Sequence, residues 1–85
     1  MSPERKAKRF NTLCGLSKKA CEDGNLTGDG AALEACHRKA LGFQQRCREL
    51  LPDGAEARWH GEWPTVTHKG TQYRYSFSPD LWASQ

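Results

Sequence analysis

The sequence predicts an α+β fold: an antiparallel two-helix hairpin (3–51), then a β-hairpin (57–77) packed on one helix flank, then a short C-terminal helical turn (79–83). Three observations predict it. Leu33, Cys36, Ala40, Phe43, Cys47 and Leu50 recur at steps of three and four residues, and Ala7, Phe10, Cys14, Ser17 and Cys21 do the same earlier. A stripe that returns every 3.5 residues stays on one side of a helix and marks a seam between two helices. Beyond Gly54 the residue usage changes, with six of the eight aromatics and none of the four cysteines lying there. Within that segment Tyr73, Tyr75 and Phe77 alternate with Gln72, Arg74 and Ser76, the period-two pattern of a half-buried strand.

Each element has its own start and stop signals. Ser2-Pro3-Glu4 supplies an N-cap, a proline at the first helical position and an acid in the first turn. The first helix should run to about Asp23, where Gly24-Asn25 and Gly28 break it. Asp29 caps a second helix that continues to Leu51 and ends at Pro52-Asp53-Gly54. A loop of about five residues between the helices makes them antiparallel neighbours. Gly42 lies inside the second helix, opposite the seam, at a cost near ~1 kcal/mol relative to Ala. The strand 71–77 is expected to pair with 58–67 through His68-Lys69-Gly70, Gly70 taking the left-handed position. A three-residue loop sets Trp63 opposite Tyr75 and Thr65 opposite Tyr73; a two-residue turn sets Val66 opposite Tyr73 instead. The first register is preferred. Pro64 cannot donate a ladder hydrogen bond, so its strand is an edge there or is interrupted. A lone hairpin is not stable in water, and Leu13, Leu16 and Ala20 offer it a flank of the first helix. Ser78-Pro79-Asp80 opens the terminal turn that returns Leu81 and Trp82 to the core.

The chain has 85 residues and a net charge of +3, enough for one domain (1–85) around one small core. No apolar run approaches the ~20 residues that span a bilayer, and residues 1–20 are basic where a secretory signal would be apolar. The expected location is therefore cytoplasmic, with no membrane partner and with reduced thiols.

The four cysteines invite three chemical readings. Structural zinc takes ligands in closely spaced pairs, whereas here the gaps are six, fourteen and ten residues, so no metal site is expected. A disulfide between antiparallel helices needs its cysteines at one level. Cys21 with Cys36 and Cys14 with Cys47 differ in level by four residues, roughly 6 Å at 1.5 Å per residue. One bridge is therefore feasible and two are not; if one forms, Cys21–Cys36 is favoured. The reading given most weight treats all four as small apolar side chains in the seam. A catalytic thiol needs a cation or histidine beside it, and His60 and His68 are expected to be solvated on the hairpin. The carboxylates are scattered and locally paired, as Glu34 with Arg38 four residues on. No nucleophile elbow, phosphate loop, zinc-protease motif or dinucleotide fingerprint occurs. The expectation is a protein that is not an enzyme and that needs no cofactor.

Charge gives the functional lead. Residues 1–20 carry Arg5, Lys6, Lys8, Arg9, Lys18 and Lys19 against Glu4 alone. Arg5, Lys8, Arg9, Thr12 and Lys19 gather on the side of the first helix away from the seam, where they can meet an acidic surface or a phosphate backbone. Trp63 and Trp82 are the aromatics expected to reach a partner. The expected function is that of a small binding protein that regulates or inhibits by docking on a larger protein or protein–nucleic-acid complex. Phage and mobile-element accessory proteins, anti-CRISPR inhibitors among them, are of this size and kind. The competing expectation is direct DNA or RNA binding along the basic face of the first helix. A heptad-like seam could also serve a homodimer.

Overall fold

A computed structural model describes residues 2–61, 63–74 and 76–83. Helices α1 (Pro3–Leu26) and α2 (Gly30–Leu50) form the hairpin, followed by strands β1 (Glu56–Trp59), β2 (Pro64–His68) and β3 (Thr71–Arg74) and a one-turn helix α3 (Asp80–Ala83). The molecule measures 44 × 24 × 18 Å, its long axis set by the paired helices.

Both helix starts are capped as the sequence requires. The Ser2 hydroxyl accepts from the Arg5 amide at 3.2 Å and the Asp29 carboxylate from the Ala31 amide at 3.1 Å. The end of α1 differs from expectation, because the helix passes through Gly24 and stops only at Leu26. Gly24 is a seam residue: a Cβ there would lie 3.1 Å from Cys36 Cβ and 3.2 Å from Leu33 Cδ1. Its missing side chain lets the helices approach, so it does not act as a breaker. The seam itself is as spaced. Ala7, Phe10, Cys14 and Ser17 of α1 and Ala40 and Cys47 of α2 are buried, and the Ser17 hydroxyl donates to the Ala40 carbonyl at 3.4 Å.

The β region is a three-stranded antiparallel sheet in the order β1-β2-β3, not a two-stranded hairpin. The run 58–67 is divided because Gly61 has φ +104° and Pro64, which cannot donate to the ladder, takes the first position of the central strand. The β2–β3 register is also the alternative one, with Val66 opposite Tyr73 and Thr65 opposite Arg74. Lys69 (φ 52°) and Gly70 (φ 79°) are both left-handed, which makes a two-residue type I′ turn whose twist matches that of the strands. The preferred Trp63–Tyr75 pairing falls on Tyr75, outside the described residues.

A one-residue slip turns a strand over, and β2 shows the consequence. Pro64, Val66 and His68 face inward and are buried. His68, expected in solvent, is only 3 % exposed. His60 is exposed, as expected.

The sheet closes the open end of the hairpin. Val66 shares a core with Ala7, Phe10, Leu13, Cys14 and Cys47, joined by Phe77, Leu81 and Trp82. The expected flank is only partly used, since Leu13 is in this core while Leu16 remains 40 % exposed. Phe10 is the hub, edge-on to Phe77 at 4.8 Å and to Trp82 at 5.7 Å between ring centroids. Asn11 secures the C-terminal segment with two hydrogen bonds, donating to the Phe77 carbonyl at 2.9 Å and accepting from the Phe77 amide at 3.0 Å.

Candidate functional site

On an α-helix, residues 5, 8, 9 and 12 follow an i, i+3, i+4, i+7 pattern and share one face, with residue 19 two turns further along it. The structure leaves this face of α1 uncovered. Arg5, Lys8, Arg9, Thr12 and Lys19 are all exposed, and the first four line a shallow groove of about 300 Å³. Among the described residues, none of these four cations takes part in an ion pair. By contrast, Arg38 meets Glu34 at 3.2 Å, as its spacing requires. Arg5 also lies in the first turn of α1, at the positive end of the helix dipole, which disfavours a cation there. Arg5 and Arg9 repel each other at i, i+4. The face is thus rich in positive charge that the fold itself does not use.

Of the two tryptophans expected to reach a partner, Trp82 is buried and Trp63 is half-buried. Trp82 is 3 % exposed, and its indole Nε1 donates to the Leu50 carbonyl at 2.7 Å. This bond satisfies a carbonyl left without an intrahelical partner at the end of α2, so Trp82 closes the core and offers nothing to a partner. Trp63 is half-buried and packs against the same core. Trp59 is similarly half-buried under the Arg48 guanidinium, 4.9 Å from its ring centroid.

All four cysteines are free thiols, so the bridge favoured from the sequence, Cys21–Cys36, is not made. The thiols that meet are Cys14 and Cys47, both fully buried. The physical reason lies in side-chain direction. Each side chain leans toward the N-terminus of its own helix, so side-chain tips on antiparallel helices meet between residues of higher number than those level at the backbone. Cys36 accordingly rests against Gly24. The hydrogen bond from Cys14 to Cys47, together with burial, pushes the Cys14 thiol well above the ordinary thiol range. A buried thiol held protonated is a packing group, not a nucleophile.

A cavity of about 510 Å³ is lined by Lys6, Glu49, Leu50, Leu51, Pro52, Asp53, His68 and Lys69. No local pattern announces it, because His68 reaches its wall only through the inverted β2. Its walls carry two lysines against two carboxylates, so they select no charge of ligand. Among the described residues no three of His, Cys, Asp and Glu stand together to hold a metal ion. Among the described residues no helix is long and apolar enough to cross a membrane. No known family, no curated protein and no solved structure matches the chain.

Proposed function

We propose that this is a non-enzymatic binding protein that regulates or inhibits a larger protein or nucleoprotein complex by docking on an acidic surface of it. The docking face is the outer side of α1, with Arg5, Lys8, Arg9 and Lys19 as its contacts. The observation that carries this reading is that these four cations are exposed and without ion pairs among the described residues. Arg5 opposes the helix dipole in the first turn and repels Arg9 four residues on, costs that an outside anion would relieve. Trp82 is withdrawn from the interface, and Trp63 adds only its exposed edge.

The test is capture from lysate of the source organism with immobilised wild-type protein and the R5Q/K8Q/R9Q/K19Q variant, with and without nuclease. A protein held by the wild type, lost with the variant and retained after nuclease is the expected result. If wild type and variant capture the same proteins, the reading fails. Direct binding of nucleic acid along α1 is favoured by one observation, the shared groove lined by Arg5, Lys8, Arg9 and Thr12, since side chains of these types position phosphates. Capture that disappears with nuclease and weakens steeply with salt supports that second reading.

A further inference from the structure

The outer face of the sheet carries a second arrangement of charge, built on residues that α1 does not share. Register places Arg58, Thr65 and Arg74 in one row across the three strands, and Glu56, Thr67 and Gln72 in the next row. Both rows point away from the core, because the alternate positions Ala57, Trp59, Val66 and Tyr73 pack into it. With His60 these six residues line a shallow depression of about 300 Å³. Among the described residues, neither Arg58 nor Arg74 has an ion pair or a side-chain hydrogen bond.

We propose that this face is a contact surface for duplex DNA. Two inter-strand spacings separate the arginine positions by roughly 10 Å at the backbone. Outward-splayed guanidinium groups from those positions reach both banks of the B-form major groove, which is about 12 Å wide. Thr65 lies between them, opposite the groove floor. Arginine, threonine and glutamine are the donors that proteins turn toward phosphates and base edges. The residues lining it include no Trp, Tyr, Phe or aliphatic side chain, and His60 at its end is the one ring among them, so it lacks the run of aromatics of a single-strand binder and the apolar centre of a protein interface. The major groove of A-form RNA is too narrow to admit it. Among the described residues that line it, Glu56 is the one unfavourable group, a carboxylate at the edge of an otherwise donor-rich surface.

Fluorescence anisotropy with a labelled duplex DNA of about 20 base pairs, at about 50 and 200 mM salt, tests the proposal. Expected are binding at the lower salt, a Kd raised about tenfold or more in the R58Q/R74Q variant, and a salt slope reduced by about 2. Glu56→Gln should lower the Kd a few-fold, a gain that misfolding would not produce. The proposal is overturned if the wild type does not bind at about 50 mM salt or if R58Q/R74Q binds as the wild type does. It is also overturned if a single strand of equal length binds as tightly, or if polyglutamate displaces the duplex as well as unlabelled duplex does. Loss of duplex binding in R5Q/K8Q/R9Q/K19Q alone would move the contact to α1 and overturn it too. Because protein capture by α1 is a separate measurement, either proposal can fail without the other.

Discussion

The two sides of α1 follow different rules. On the inner side Ala7, Phe10, Leu13, Cys14, Ser17, Ala20 and Gly24 are all buried. On the outer side Arg5, Lys8, Arg9 and Lys19 are exposed, and no ion pair among the described residues explains them. One helix therefore carries a structural face whose residues are accounted for inside the chain and a charged face that is not. The difference separates residues that fold the protein from residues available for a partner.

Substitutions on the two sides should therefore have opposite signatures, the largest at the core hub. Phe10→Ala removes a fully buried ring that meets Phe77 and Trp82. It should cost about 3–5 kcal/mol in urea unfolding; a loss below about 1 kcal/mol would show that the inner face is not the centre of the fold. Asn11→Ala deletes both hydrogen bonds to Phe77 and leaves a part-buried amide and carbonyl unsatisfied, for a loss of about 1–3 kcal/mol.

A pH dependence should distinguish the inner face further. The Cys14 thiol is held above its ordinary range by its hydrogen bond to Cys47, and Cys47, which accepts that bond and lies near Arg48, is held below it, so above the ordinary range the folded state keeps the Cys14 proton that the unfolded chain releases. The resulting stability is fully present below the ordinary thiol pKa of about 8.5 and is lost as pH rises above it. Thermal unfolding across pH 7–10.5 should show a fall at the alkaline end that Cys14→Ala reduces; identical alkaline slopes would contradict the pairing. The smallest effect belongs to the outward Gly15, which has open space where a Cβ would go. Gly15→Ala should raise stability by about 0.5–1 kcal/mol, measurable by the same urea titration.

The structural face was legible because periodicity reports burial directly. Alternating steps of three and four identified the seam, and Ser2 and Asp29 identified where the helices begin. Gly24 was misread because a glycine that ends a helix and a glycine that lets two helices touch look the same before the partner helix is in place. The sheet was harder, since its register turned on one backbone angle. Lys69 adopts a positive φ that non-glycine residues seldom take, and that turned β2 over and buried His68. Asn11 and Trp82 bond to backbone groups far away in sequence, at Phe77 and Leu50, contacts that local pattern does not encode. The candidate face on α1 was read correctly as to exposure because charge at helical spacing is itself local. The row Arg58–Thr65–Arg74 was invisible until the register aligned it.

The central claim is that the outer cations of α1 serve a partner and not the fold, and the R5Q/K8Q/R9Q/K19Q variant tests it most directly. Its melting temperature at low salt should equal or exceed that of the wild type, because removing these charges relieves the repulsion between Arg5 and Arg9 and the unfavourable interaction of Arg5 with the helix dipole. A melting temperature lowered as far as that of Asn11→Ala would contradict the claim and assign these residues to the fold.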